Sequence, residues 1–94
     1  MVRIDLSKVS YIESLEDYIR IFMTDDKPVL TLMTLKKVLE KLPASQFRRI
    51  HRSYIVSVDK VKAIHNRKVH LVNKEIIPIS DSYLDFISFW KQEQ

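Results

Sequence analysis

Hydrophobic and polar residues alternate along much of the first third of the chain, and this period of two is typical of half-buried β-strands. Residues 2–6 and 9–12 show the alternation on either side of a short polar break. Residues 18–24 and 29–33 are rich in aromatic and branched side chains, and the Asp-Asp-Lys-Pro sequence between them is typical of a turn. We therefore predict two short strands followed by a β-hairpin.

Two segments show the spacing of amphipathic helices instead. Apolar residues recur three and four positions apart between Thr34, which suits an N-cap, and Pro43, which ends a helix. This spacing predicts one short amphipathic helix over residues 35–42. A second pattern follows Ser80 and Asp81, either of which could cap a C-terminal helix. The apolar residues of that helix are Leu84, Ile87 and Trp90.

The second half of the chain is again rich in branched residues that favour strands. The segments with this pattern are residues 54–56, 61–64, 68–72 and 75–79. A turn near Asn66 and Arg67 would join the second and third of them into a hairpin. The sequence therefore predicts a mainly β fold with one short amphipathic helix and a C-terminal helix.

The chain contains no glycine, although its predicted strands need several tight turns. Asn and Asp are the residues other than glycine that most readily adopt a positive φ angle. We therefore expect positive φ angles at Asp25, Asp26, Asn66 and Asn73.

Length and composition are those of one folded domain, which we place at residues 1–94. No segment approaches the roughly 20 apolar residues that a membrane helix requires. The N-terminus also lacks the apolar stretch of a signal peptide. Because the chain has no cysteine, disulfides and thiolate metal sites are excluded. We expect a cytoplasmic protein with no membrane partner.

Side chains that could support catalysis are scattered along the sequence. His51, His65 and His70 lie in different predicted elements, without the close spacing of a zinc site. A chain without glycine has neither a G-x-S-x-G elbow nor a glycine-rich phosphate loop. We therefore expect no enzymatic activity, no metal and no cofactor.

The net charge is +4, and the positive charge is densest at residues 47–53. There Arg48, Arg49, His51 and Arg52 place guanidiniums and an imidazole close together. Arginine matches phosphate oxygens in charge and donor geometry, and it can pair with guanine in the major groove. This stretch favours nucleic-acid binding, with a solvated loop balanced by nearby glutamates as the alternative.

Four sequence blocks carry a resemblance to a known family. Residues 11–19 read Tyr-Ile-Glu-Ser-Leu-Glu-Asp-Tyr-Ile, and residues 35–43 read Leu-Lys-Lys-Val-Leu-Glu-Lys-Leu-Pro. Residues 47–56 read Phe-Arg-Arg-Ile-His-Arg-Ser-Tyr-Ile-Val, and residues 77–80 read Ile-Pro-Ile-Ser. In this order they resemble the LytTR-type DNA-binding domain, the output domain of LytR/AlgR-family bacterial response regulators.

The resemblance implies an elongated arrangement of small antiparallel sheets that binds double-stranded DNA through three loop regions, without a recognition helix. The candidate DNA-binding residues are Ser14 and Asp17 in the first region, Arg49, His51, Arg52 and Ser53 in the second, and Ser80, Asp81 and Tyr83 in the third. We expect Arg52 to contact a base and its neighbours to contact phosphates. Lys36, Lys37 and Arg48 are further candidates for phosphate contacts, with an ordinary solvated face as the alternative for the lysines.

Two positions depart from the pattern of the family. Many relatives have Arg where this chain has Asp81, and a carboxylate cannot donate to phosphate or guanine. It can accept from cytosine N4 or cap the following helix. Ser57 stands where relatives often have Asn, a change that we expect to alter a turn.

The resemblance also implies the partners of the domain. Its DNA would carry promoter direct repeats, with a second copy of the domain bound beside the first. A receiver domain would precede it in a longer regulator, from which this chain is an excised part.

The residues alone leave two other functions open. An apolar patch on the C-terminal helix could dock a protein partner, or it could pack on the domain's own sheet. Its residues are Phe86, Ile87, Phe89 and Trp90. Tyr18, Phe22 and Tyr54 could stack on single-stranded nucleic acid, or they could lie within strands. Salt dependence and competition between duplex and single strand would separate these functions from duplex binding.

Overall fold

The computed structural model of the protein describes residues 3–93, which form two antiparallel β-sheets and two α-helices. The strands of the five-stranded sheet are β1 (Val9–Leu15), β2 (Tyr18–Met23), β3 (Val29–Leu32), β4 (Phe47–His51) and β5 (Tyr54–Ser57). Those of the three-stranded sheet are β6 (Val61–His65), β7 (Lys68–Leu71) and β8 (Ile76–Pro78). The helices are α1 (Leu35–Glu40) and α2 (Asp85–Gln92). The predicted fold class is confirmed.

The order of strands in the five-stranded sheet is β3-β2-β1-β5-β4, which makes β1 central and leaves β3 and β4 at the edges. The predicted strand over 9–12 is too short, because β1 continues to Leu15. Glu13 pairs with Arg20 of β2, and the Ser14 N–H donates to the Ser53 carbonyl oxygen at 2.9 Å. The polar side chains at 13 and 14 hid this extension, since tertiary pairing overrides local composition.

The three-stranded sheet has the order β6-β7-β8. Its first hairpin turns at Asn66 and Arg67, whose φ angles are 52° and 59°. Two consecutive positive φ angles in a two-residue connection are the signature of a type I′ turn, whose twist matches that of the flanking strands. The predicted turn near these residues is confirmed.

The five-stranded sheet lies between two apolar cores. On one face, Leu35 and Val38 of α1 pack in a buried cluster with sheet residues that include Ile12, Ile19 and Ile55. On the other face, the sheet packs against the three-stranded sheet and α2. The buried residues of this second cluster include Tyr11, Ile50, Val56, Val69, Leu71, Ile77 and Phe86. Two sheets and two helices are thereby joined into a body of 36 × 26 × 21 Å.

The prediction of a strand over residues 2–6 is wrong for the described part of that segment. Residues 3–5 belong to no strand, and Leu6–Lys8 is a 3₁₀ helix. Asp5 accepts hydrogen bonds from both the backbone N–H and the hydroxyl of Ser7, at 3.0 and 2.7 Å. Such local bonds compete with strand pairing. Val2, at the start of the predicted strand, lies outside the described residues.

Helix α1 has the predicted N-cap but ends earlier than predicted. Thr34 is the N-cap of α1, as expected, and its Oγ1 accepts from the Lys37 N–H at 3.1 Å. The helix ends at Glu40 rather than at 42, because the N–H of Lys41 bonds to the carbonyl three residues back. Within residues 3–93, neither helix is long and apolar enough to cross a membrane.

The expected capping of the C-terminal helix is wrong. A 3₁₀ helix, Asp81–Tyr83, precedes α2, and the side chain of its N-cap Ser80 makes no capping hydrogen bond. Leu84 is the N-cap of α2 and also has no side-chain cap. The Asp81 carboxylate instead accepts from Arg67 Nη1 at 3.1 Å, since a charged partner is within reach.

All positive φ angles among the described residues fall in connections between strands. Asn66 has one, as predicted, but Asp25, Asp26 and Asn73 do not. The other residues with positive φ are Glu16, Arg67 and Lys74. Residues 24–28 form a longer connection between β2 and β3, which turns without positive φ. The two-residue turns at 16–17 and 66–67 use positive φ, as the favoured hairpin turns do, whereas the turn at 52–53 does not.

Ser57 ends β5 just before a 3₁₀ helix, Val58–Lys60. Its buried hydroxyl donates to Asp59 Oδ1 at 2.7 Å, and this bond lowers the pKa of Asp59 below its ordinary value. The residue therefore shapes this turn, in line with the expectation from the sequence.

Candidate nucleic-acid interface

The loops predicted to contact DNA meet at one end of the five-stranded sheet. Residues 16–17 join β1 to β2 there, and residues 52–53 join β4 to β5. The Ser14–Ser53 hydrogen bond and the pairing of Glu13 with Tyr54 place these turns side by side. Because neighbouring strands are about 4.8 Å apart, the two turns lie roughly 10 Å from each other. We call this end of the sheet the loop end.

The third predicted loop adjoins the second. The Ser80 N–H donates to the carbonyl oxygen of Ile50 at 3.0 Å, which fixes residues 80–83 against the end of β4. Tyr83 is half-buried there, with its ring centroid 6.0 Å from the Arg49 guanidinium carbon. All three predicted loop regions are therefore brought together at the loop end.

The Arg49 side chain stabilises the second turn through hydrogen bonds to its backbone. Its Nη2 donates to the carbonyl oxygen of Arg52 at 2.6 Å, and its Nε donates to that of His51 at 3.3 Å. Only a planar guanidinium presents donors in a fixed fork of this kind. Arg49 thus holds the backbone of the turn and keeps further N–H groups available for other acceptors.

His51 is fixed by its own backbone and by an aromatic neighbour. Its Nδ1 accepts from the Ser53 N–H at 3.1 Å, so the proton of the neutral ring is on Nε2. The ring lies 5.3 Å from that of Tyr54, centroid to centroid. His51 is therefore oriented to donate from Nε2, as a phosphate contact would require.

Tyr54 connects this turn with β1. Its hydroxyl donates to Glu13 Oε2 at 3.4 Å, and burial together with the Glu13 charge raises the pKa of Tyr54. The neutral phenol is therefore the stable form at the base of the turn. Tyr54 packs against the core as well, so stacking on single-stranded nucleic acid is not favoured by its position.

Arg52 is the exposed residue at the tip of the second turn. Its backbone carbonyl is held by Arg49, whereas its guanidinium makes no hydrogen bond or ion pair with any residue from 3 to 93. A fixed backbone with a free guanidinium suits contact with the acceptors of a duplex.

The first loop region differs from the others in charge. Ser14 belongs to β1, where its N–H is already bonded, and the two-residue turn consists of Glu16 and Asp17. Both carboxylates are exposed. These carboxylates repel phosphates. The turn can therefore contact DNA in two ways: its backbone N–H groups can donate to DNA acceptors, or its carboxylates can accept from base donors such as cytosine N4.

The remaining predicted phosphate contacts fall in two places. β3 ends at the loop end, because Leu32 pairs with Tyr18, and α1 begins three residues later with Lys36 and Lys37 exposed in its first turn. Arg48 lies elsewhere. Its guanidinium carbon is 4.0 Å from the ring centroid of Phe89 in α2, and its Nη2 is 3.9 Å from Asp85.

Arg67 lies beside the candidate site but is not among the residues predicted for it from the sequence. The β6–β7 turn lies beside the third loop, since the Ile79 N–H donates to the Arg67 carbonyl oxygen at 2.9 Å. The signal available in the sequence was a basic residue in a predicted two-residue turn, but its neighbour Asp81 is fourteen positions away.

The C-terminal aromatic residues belong mainly to the domain's own core. Phe86 is only 1% exposed, and Ile87, Phe89 and Trp90 pack partly buried against the same cluster. Within residues 3–93 there is no group of His, Cys, Asp or Glu side chains that could hold a metal ion. Chemistry at the loop end therefore consists of cationic and neutral hydrogen-bond donors with a few carboxylates.

Comparison with known proteins identifies the family. Residues 1–90 match the model of the LytTr DNA-binding domain. The chain belongs to the LytTR family of DNA-binding domains. The resemblance found in the sequence is thereby confirmed, and binding of DNA in transcriptional regulation is the function that this membership indicates.

Two similar proteins agree with this assignment of the LytTR domain. A solved LytTr DNA-binding domain from Bacillus cereus, of a protein described as a methyl-accepting/DNA response regulator, matches with a TM-score of 0.83 and 26% identity over 96% of this chain and 86% of that one. Sensory transduction protein LytT of Oceanobacillus iheyensis is 32% identical over 87 aligned positions, and the alignment covers 85% of this chain. The chain spans 35% of the length of LytT.

Proposed function

We propose that this LytTR domain binds double-stranded DNA sequence-specifically through the loop end and serves as the output domain of a response regulator. The observation that carries the proposal is the turn at residues 52–53. Its backbone is held by Arg49, and beside two other loops it presents the guanidinium of Arg52, which has no partner among residues 3–93. Such a group is suited to pair with guanine O6 and N7.

The width of the loop end supports contact with more than one groove. From β3 to β4 the sheet spans four strand spacings, about 19 Å. A major groove is about 12 Å wide, so a row of this width extends beyond one groove. Lys36 and Lys37 near the β3 side and Arg49 on β4 at the opposite edge supply positive charge for the phosphates between grooves.

The carboxylates in the row bear on specificity. Glu16 and Asp17 lower the attraction for phosphate at one turn, and Asp81 does so at another. A surface that combines arginines with carboxylates binds less tightly to arbitrary duplex than a purely basic one, and it rejects unmatched bases. This composition favours sequence-specific over non-specific binding.

The experiment that tests the proposal is fluorescence anisotropy of labelled duplexes at several salt concentrations. The wild type and Arg52→Ala are compared on a duplex enriched from a random pool by the wild type and on a scrambled duplex. We expect Arg52→Ala to lose about 1–3 kcal/mol of binding free energy, chiefly on the enriched duplex. Binding by both proteins should weaken as salt rises, because counterions are released.

Lys62→Ala is the matched control, since Lys62 is an exposed cation near the start of β6 and outside the loop regions. It should leave the preference for the enriched duplex unchanged. Absence of duplex binding by the wild type at low salt would contradict the proposal, as would equal loss for Arg52→Ala and Lys62→Ala. A single-stranded competitor that displaces the duplex completely would point to single-strand binding instead.

The assembly on DNA is part of the same proposal. A receiver domain would precede the LytTR domain, and two copies would occupy two direct repeats. The second point is tested by measuring the mass of complexes on duplexes with one and with two repeats of the enriched sequence. Two copies on the double site and one on the single site are expected, and one copy on both would contradict pairing.

A further inference from the structure

An ion pair stands at the third loop. Arg67 Nη1 is 3.1 Å from Asp81 Oδ1, and the two side chains are 64% and 90% exposed. Arg67 comes from the turn of the three-stranded sheet, and Asp81 comes from the 3₁₀ helix before α2. The fold gains little from the pair, because exposed ion pairs contribute little to stability.

The backbones that carry the pair are held more firmly than the side chains. The Ile79 N–H donates to the Arg67 carbonyl oxygen at 2.9 Å, and the Ser80 N–H donates to the Ile50 carbonyl oxygen at 3.0 Å. Ile50 directly precedes His51. The pair is therefore fixed at the same end of the molecule as the turn that presents Arg52.

The net charge of the pair indicates what it can recognise. A guanidinium joined to a carboxylate has no net charge, so it attracts phosphate weakly. It still presents directional donors next to a directional acceptor. The major-groove edge of a G·C base pair shows the complementary arrangement, with the acceptors N7 and O6 on guanine and the N4 amino donor on cytosine.

We propose that Arg67 and Asp81 together read one G·C base pair in the major groove. Arg67 donates to guanine N7 and O6 from the N–H groups that Asp81 leaves free, because the guanidinium has five. Asp81 accepts from cytosine N4 and holds the guanidinium in place. The inference rests on the proposed duplex binding and adds a specificity-determining pair to it.

The test combines protein variants with changes in the DNA. Duplexes are selected from a random pool by the wild type, Arg67→Lys, Arg67→Gly and Asp81→Ala, and the enriched sequences are compared. Lysine keeps the charge but loses the fork, and glycine suits the positive φ of 59° at this position. Lys62→Ala again controls for loss of an exposed positive charge.

The expected result is the loss of one preference. The wild type should enrich a site in which one position is a G·C pair, and all three variants should lose the preference at that position. Their preferences at the other positions should not change, and Lys62→Ala should keep every preference of the wild type. Changing that G·C pair to A·T should weaken wild-type binding about ten-fold and leave Arg67→Gly nearly unaffected. Thermal unfolding of the variants should remain within a few degrees of the wild type, since the pair is exposed.

Two results would overturn the inference. One is an unchanged enriched sequence for Arg67→Gly and Asp81→Ala. The other is tighter binding of Asp81→Ala to every duplex without a change in preference, which would show that the carboxylate only repels phosphate. Failure of the wild type to enrich any duplex would contradict the proposed function itself, and the two failures are thus distinguishable.

Discussion

Arg49 Nη2 donates to the carbonyl oxygen of Arg52 at 2.6 Å, so one arginine holds the backbone from which the next arginine of the basic stretch projects. A second bond, from Arg49 Nε to the His51 carbonyl oxygen at 3.3 Å, completes a two-point attachment. From the sequence alone, the two arginines belong to one basic stretch and their roles are not distinguished. The fold separates them into a supporting residue and a presenting residue.

This division of roles predicts the effect of Arg49→Lys. Lysine keeps the positive charge but cannot reach both carbonyl oxygens with a fixed fork. We expect the free energy of unfolding to fall by about 1 kcal/mol, as for a typical hydrogen bond, and the affinity for the enriched duplex to fall several-fold. Chemical denaturation and anisotropy measure the two effects.

Arg20→Lys is the matched control for this substitution. Arg20 lies on β2, and its Nη1 is 3.9 Å from Glu13 Oε1, too far for a strong hydrogen bond. It should change neither stability nor DNA affinity appreciably. Wild-type affinity for Arg49→Lys would mean that Arg49 acts only as a point charge.

The sequence predicted the elements better than the contacts between them. Alternation and branched residues located β2, β3 and β5–β8 to within one residue at each end, since these strands are continuous in their side-chain pattern. The segment over 2–6 alternates equally well, but its described residues, 3–6, pair with no strand. β1 continues through polar residues because partner strands exist. Pairing is a tertiary property that a local pattern does not contain.

The same reason explains why the loops of the candidate site could be located from the sequence and the contacts between them could not. The signature of residues 47–56 identified the second turn, and all three loop regions are adjacent in the structure. The pairing of Arg67 with Asp81 and the packing of Arg48 on Phe89 join residues far apart in the sequence. Those contacts depend on how the two sheets and α2 pack together.

Arg48 is expected to act in stability rather than in DNA binding. Its guanidinium carbon lies 4.0 Å above the Phe89 ring, a distance typical of cation–π contacts worth about 0.5–2 kcal/mol. We expect Arg48→Ala to lower the free energy of unfolding by about 1 kcal/mol and to leave the salt dependence of duplex binding unchanged. A phosphate contact would instead reduce the salt slope by about 1.

A double-mutant cycle separates the two roles of Arg48. Phe89→Leu alone and together with Arg48→Ala should show a coupling of about 0.5 kcal/mol or more in stability. If there is no coupling in stability and Arg48→Ala has a lower salt slope, Arg48 contacts a DNA phosphate instead.

The N-cap of α1 is expected to stabilise a helix that is short and bears exposed lysines near the loop end. Thr34 Oγ1 accepts from the Lys37 N–H at 3.1 Å. A helix of six residues is marginal by itself, so its cap contributes noticeably. Thr34→Ala should lower the free energy of unfolding by about 1 kcal/mol, measured by urea denaturation. Thr34→Ser keeps the accepting hydroxyl and should retain most of the stability.

Alkaline pH is expected to weaken the second core through Tyr11. This side chain is 7% exposed and stacks on Phe22 with ring centroids 4.3 Å apart. Burial, aided by the charges of Glu75 and Glu13, raises the pKa of Tyr11 from 10.0 to about 12. In this range the folded protein keeps the phenolic proton while the unfolded chain releases it.

The sign of the pH effect follows from that difference in proton binding. The contribution of Tyr11 is complete below pH 10 and is lost as the pH rises through about 12, with a slope of at most about 1.4 kcal/mol per pH unit. Tyr11→Phe keeps the stacked ring and removes the titrating hydroxyl. The difference in unfolding free energy between wild type and Tyr11→Phe should therefore be constant up to pH 10. Above pH 10 the wild type should lose stability relative to Tyr11→Phe. A difference that stays constant up to pH 12 would show that the Tyr11 hydroxyl ionises normally in the folded protein.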